Sequence, residues 1–197
     1  MKRFALLAAL VCAASVFAAV ATARSTATNL HCQAGAPGTC HVNPSSNSVT
    51  FDTRAGGYAL AYLTSSTALG GTPLAHANFS FNFTCTNYTP ADPTDCVGGG
   101  VPRLSIPIGT GATPNGDVFA FVDAAGCGYT PGVSTSGSVN TTNPACAVNV
   151  NTGASYPNWA AFAAANPTWT IRKGHSWFVI ADFPYFGLVS NLRGWKS

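Results

Sequence analysis

The clearest periodic signal lies in "HANFSFNFTCT", residues 76–86, where Phe79, Phe81, Phe83 and Cys85 fall on one face and Ser80, Asn82 and Thr84 on the other. Successive side chains of a strand point to opposite faces, so this pattern predicts a half-buried β-strand. Shorter versions recur. "SVTFDTR" (48–54) alternates Val49, Phe51 and Thr53, and "YALAYLT" (58–64) follows after Gly56-Gly57, an arrangement that predicts a hairpin. "PRLSIPIG" (102–109) sets Leu104, Ile106 and Ile108 on one face, and Pro107, which has no N–H for a neighbouring strand, predicts an edge position. "TPNGD" (113–117) reads as a turn, because Pro114 presets φ and Asn115-Gly116 tolerate positive φ. "VFAFVDA" (118–124) is apolar on both faces and "ACAVNVN" (145–151) alternates; "WTIR" (169–172), "HSWFVIAD" (175–182) and "FGLVSNL" (186–192) complete the strand candidates.

One segment has a helical period. "SYPNWAAFAAANP" (155–167) offers Ser155 as N-cap, Pro157 in the first turn and Asn166-Pro167 as a stop, with Trp159, Phe162 and Ala163 on a common face. The expected helix covers about 156–165. Many short strands around one helix predict an all-β fold, a disulfide-stabilised β-sandwich of jelly-roll-like form over residues 48–197.

The first 23 residues change the picture of where the protein works. Lys2 and Arg3 precede an apolar run from Phe4 to Val20, and Ala21-Thr22-Ala23 has the small-x-small form of a cleavage site, so residues 1–23 read as a signal peptide. The mature chain is then expected to be secreted and to have no membrane span. Residues 24–47 read as an N-terminal lead with a small disulfide loop. Beyond the leader, which holds Cys12, the cysteines are Cys32, Cys40, Cys85, Cys96, Cys127 and Cys146; an even count in an exported chain predicts disulfides. Spacing favours the neighbouring pairs 32–40, 85–96 and 127–146. In "HCQAGAPGTCH", His31 and His41 flank the first pair as a possible zinc set, but structural zinc sites use tighter Cys spacing, so the disulfide is preferred.

Charged residues make up 8% of the chain, against about 25% in an ordinary soluble domain. Nucleic-acid affinity rests on many Lys and Arg contacts, so no nucleic-acid partner is expected. All six acidic residues are Asp. Glycoside hydrolysis needs two carboxyls across a bond, and Asp123 and Asp182, which end "VFAFVD" and "WFVIAD", are the candidate pair. Backbone or turn hydrogen bonds are the competing role for both. Asp92 and Asp95 in "DPTDC" are calcium candidates, with turn capping as the alternative. No G-x-S-x-G elbow occurs, and no cofactor is expected.

Large rings supply the remaining chemistry. Tyr185, in the turn "DFPYFG", and Trp195, near a polar end, are the candidates for stacking on sugar rings, whereas the patterns around Trp159 and Trp177 place them in the core. At the level of architecture, the closing segment "WFVIADFPYFGLVSNLRGW" resembles the last strands of secreted sugar-binding sandwiches, a resemblance that assigns a role to no residue. The expected function is a secreted binding or cell-surface module without catalytic activity, its partner a glycan or cell-surface polymer. Two alternatives are a surface-coat protein without a small ligand and an Asp-based glycoside hydrolase.

Overall fold

In the computed structural model, which describes residues 29–86, 101–110, 118–131 and 133–197, the chain is built from antiparallel strands in two sheets. The strands are β1 (Leu30–Gly35), β2 (Thr39–Asn43), β3 (Ser48–Asp52), β4 (Tyr58–Leu63), β5 (Ala77–Cys85), β6 (Arg103–Gly109) and β7 (Val118–Asp123). They continue as β8 (Ser136–Asn140), β9 (Val148–Val150), β10 (Ser155–Tyr156), β11 (Thr170–Ile171), β12 (Phe178–Ala181) and β13 (Phe186–Lys196). The first sheet runs β1-β4-β12-β6-β7-β9-β10, with β11 also on β6; the second runs β2-β3-β13-β5-β8. The arrangement is a β-sandwich, as the alternation predicts. The turn 113–117 and the leader lie outside the described residues.

The core follows from the period-two faces. Phe79, Phe81 and Phe83 of β5 are fully buried, and each contributes roughly 2–3 kcal/mol of transfer free energy. Phe79 packs edge-on against Trp159 at 5.7 Å and Trp177 at 5.3 Å, and Phe83 against Tyr129 at 5.1 Å. Facing them are Leu104, Ile106 and Ile108 of β6 and Ala120 and Val122 of β7, all buried. The other face of β7 carries Phe119 and Phe121, stacked on each other and met by Phe178.

Several expectations give way to the structure. The 48–54 and 58–64 segments do not form a hairpin: β3 pairs with β2 and β13, while β4 pairs with β1 and β12 in the other sheet. Gly56 and Gly57, both at positive φ, carry the chain from one sheet to the other. Residues 30–43, within the segment read as a lead, supply the first strand of each sheet, and Cys32–Cys40 ties the two sheets together at that edge. Pro107 is not on an edge. β12 covers β6 from Arg103 to Ser105 and β11 covers it at Ile108 and Gly109, so Pro107 falls in the gap between them. Its carbonyl accepts from Arg172 N–H at 2.9 Å, and the reciprocal bond that an N–H at this position would return is the one proline lacks, at the point where the β11 ladder ends.

The helix α1 (Trp159–Ala165) is shorter than expected at its start. Ser155 and Tyr156 are instead β10, paired with β9, and the cap is Asn158, whose side-chain oxygen accepts from Ala161 N–H at 2.9 Å. Trp159, Phe162 and Ala163 do share the buried face. Cys127–Cys146 is formed, and Cys85 is disulfide-bonded while Cys96 lies outside the described residues. Among the described residues no helix is long and apolar enough to cross a membrane.

Candidate functional site

Strand β13 begins with Val189 facing the core opposite Phe83 and Ser190 facing outward opposite Asn82. Continued alternation would turn Arg193 and Trp195 inward. Asn191, however, adopts φ 53°, and the register to β5 shifts between Ser190 and Arg193. Two residues of β13, Asn191 and Leu192, then oppose Phe81 alone. Such a bulge re-aims the side chains after it, and Asn tolerates the left-handed backbone that it needs. Leu192 becomes buried, Arg193 pairs outward with Ser80, and Trp195 pairs outward with Asn78. Gly194 lies between them on the inner face, where a Cβ would stand 2.9 Å from the Trp177 ring.

On the other side of β5, Ser80 pairs with Asn140 and Asn82 with Ser138 of β8. Trp195, Arg193, Ser80, Ser138 and Asn140 therefore surround one depression of about 690 Å³ on the outer face of the second sheet. The ring of Trp195 is partly exposed, its surroundings combine amide, hydroxyl and guanidinium groups with Leu63 and Leu192, and among the described residues no carboxylate lines the hollow. An apolar ring face amid a few fixed donors and acceptors is the chemistry that suits a ligand with C–H faces and many hydroxyls.

Tyr185 is not part of it. Its side chain is wholly buried, edge-on to Phe51 at 6.4 Å, with the hydroxyl donating to the Leu188 carbonyl at 3.3 Å. Burial alone pushes this phenol far above its ordinary range. The turn that holds it exposes Phe183 instead, so Tyr185 offers no face to a sugar.

Asp123 and Asp182 come to the same end of the first sheet, on either side of β6. Arg103 pairs in register with Asp123, and its guanidinium holds Asp182 through two hydrogen bonds, one of 2.7 Å. The same guanidinium lies 4.9 Å from the centre of the Phe121 ring. Asp123 accepts from Gly126 N–H at 2.5 Å. Asp123 thus accepts the turn hydrogen bond weighed against catalysis, whereas Asp182 is held by a side-chain ion pair instead. Arg103, the residue between them, was not singled out by sequence reasoning; it lies outside the apolar alternation that drew attention to β6. Asp52 is likewise engaged, the Arg54 side chain holding its carboxyl below the usual carboxylate range through hydrogen bonds. Asp92 and Asp95 lie outside the described residues.

His31 stacks on Tyr62 at 5.4 Å and bonds the Thr64 hydroxyl at 2.8 Å, while its neighbour Cys32 is in the disulfide. The Cys2His2 zinc alternative is thereby removed. In comparison with known proteins, no family model, no curated protein and no solved structure matches this chain.

Proposed function

We propose that the chain is a secreted, non-catalytic carbohydrate-binding module whose ligand lies on the outer face of the second sheet, against Trp195. One observation carries the reading: the bulge at Asn191 turns Trp195 outward into a depression whose lining includes the polar side chains of Arg193, Ser80, Ser138 and Asn140. A pyranose presents C–H groups to such a ring and hydroxyls to the polar groups around it. The engagement of Asp123 and Asp182 by Gly126 and Arg103 favours binding over hydrolysis. Secretion is supported by the leader-like first 23 residues and by disulfides that persist in oxidising surroundings.

A glycan array probed with the mature chain tests the proposal, followed by titration of the best ligand against Trp195→Ala. The variant should bind at least tenfold more weakly, a loss of about 1.4 kcal/mol. Because the ring is partly exposed, stability should fall by no more than about 1 kcal/mol. An array without any hit, or a hit indifferent to Trp195→Ala, overturns the reading.

A further inference from the structure

The hollow at Trp195 continues in both composition and direction. Ser80 and Asn78 are successive outward positions on β5, roughly 7 Å apart at the rise of a strand. Ser80 lines the Trp195 depression, whereas Asn78 lines a second hollow of about 650 Å³ against Ala160, Ala163 and Ala164 of α1. Trp195, the register partner of Asn78, stands where the two meet. On the β8 side the same continuity holds, since Asn140 borders the first hollow and the next residue, Thr141, the second. Pro73 and His76 then belong both to the second hollow and to a third, of about 400 Å³. Neighbouring residues thus set the first hollow beside the second, and shared residues join the second to the third.

Among the described residues the charge along the three hollows is one-sided. Arg193 stands near one end, and Lys173 and Lys196 line the third hollow at the other. Asp52, Asp123 and Asp182, the acids among the described residues, line none of the three. The ion pairs among the described residues are Arg54–Asp52 and Arg103–Asp182, so Lys173, Lys196 and Arg193 are not neutralised by them. Ser197 also lines the third hollow. That hollow is also built. Gly71, at φ +82°, lets the Lys173 stem lie against the loop, because a Cβ there would stand 2.6 Å from Lys173 Cε. Thr72 is only 5% exposed, and its hydroxyl has no hydrogen-bond partner among the described residues. This buried, unpaired hydroxyl belongs to a residue of the same hollow wall as Lys173 and Lys196.

We infer that the three hollows together act as one trough for a linear acidic polysaccharide, whose anionic ring substituents meet Lys173 and Lys196 at one end and Arg193 at the other, with Trp195 stacked on a ring between. The inference rests on the carbohydrate reading above and adds the ligand's charge and extended form. Carboxylate and sulfate substituents share the required chemistry.

The test titrates the mature chain, and its Lys173→Ser/Lys196→Ser variant, with neutral, uronate and sulfated oligosaccharides of equal length. At low salt, one or both acidic series should bind about tenfold or more tighter than the neutral one, and the uronate and sulfate arms identify the substituent. The advantage should shrink at about 1 M salt, where the screening length falls to about 3 Å. The double variant should lose the advantage for the acidic ligand while its neutral-ligand affinity stays within about twofold, a result that also shows it folded. Equal affinity for neutral and acidic ligands, or an acidic preference that survives in the double variant, overturns the inference and leaves the carbohydrate reading standing. Absence of binding in every arm sinks both.

Discussion

Replacing Tyr185 by Phe tests the placement of this ring through the alkaline limb of stability. The hydroxyl sits in the core, and its one hydrogen bond, to the Leu188 carbonyl, is 3.3 Å long. Burial disfavours the phenolate, so the folded-state pKa stands above the ordinary value of 10.0, which the unfolded chain retains. The stabilising contribution is therefore complete below pH 10 and is lost as pH rises through the folded-state pKa. Each pH unit in that interval costs about 1.4 kcal/mol for one proton, or about 2.7 kcal/mol between pH 10 and 12. With a guanidinium m-value of roughly 2–6 kcal/mol/M, the unfolding midpoint of the native protein should drop by about 0.5–1.4 M over that range from this group alone. Tyr185→Phe keeps the ring and removes the proton. It should cost about 1 kcal/mol at neutral pH for the lost hydrogen bond and then lose stability less steeply above pH 10. Lysine and arginine titrations are common to both proteins, so the difference between the two curves is the measurement. Phenolate absorbance supplies a second readout: one phenol of the six should ionise only as the chain unfolds. Parallel stability curves for the two proteins, or six phenols that titrate before unfolding, would refute the buried placement.

Two further perturbations address the frame of the site. Replacing Cys127 and Cys146 by Ser opens a loop of sequence separation 19 and should cost about 3 kcal/mol, read as a lowered unfolding midpoint under non-reducing conditions; an unchanged midpoint would deny the bridge a role in stability. Gly137→Ala drives a Cβ into the Tyr129 ring, whose hydroxyl bonds both Ser138 N–H and Ser138 C=O. A cost of about 1–3 kcal/mol in chemical denaturation is expected, and a neutral outcome would show that the ring can move aside freely.

Which parts of this structure the sequence announces depends on how far local pattern decides the outcome. β5 is legible because three phenylalanines in strict alternation leave no other way to bury them all. The face of α1 is legible for the same reason, though its start is not: Ser155 and Asn158 are both good caps, and pairing with β9 takes Ser155 out of competition. β1 and β2 carry weak apolar pattern, since as outer strands they bury little, and tertiary pairing alone makes them strands. Glycines announce that the chain turns at 56–57 but not whether it returns to the same sheet. Pro107 misleads because the proline rule assumes an unbroken neighbour, whereas here two short strands meet beside it. At the candidate site, Trp195 is recognisable from sequence as a ring near a polar end. Arg193, Ser80, Ser138 and Asn140 are not, because their convergence depends on the parity change at Asn191. Tyr185 fails as a candidate for a complementary reason: a turn-rich neighbourhood exposes one ring, Phe183, by burying the other.

The position of the last strands bears on how the chain comes to be folded at all. β12 lies between β4 and β6 in one sheet, and β13 lies between β3 and β5 in the other. The middle of each layer is thus supplied by residues 178–196, the end of the sequence. Neither β4 and β6 nor β3 and β5 can close on one another beforehand, because each pair is held a strand's width apart. Neither sheet can be completed until residues 178–196 are in place, and such long-range pairings are slow to form. Folding of both layers therefore waits on the same short segment, so a lesion within residues 178–196 would unmake two sheets at once.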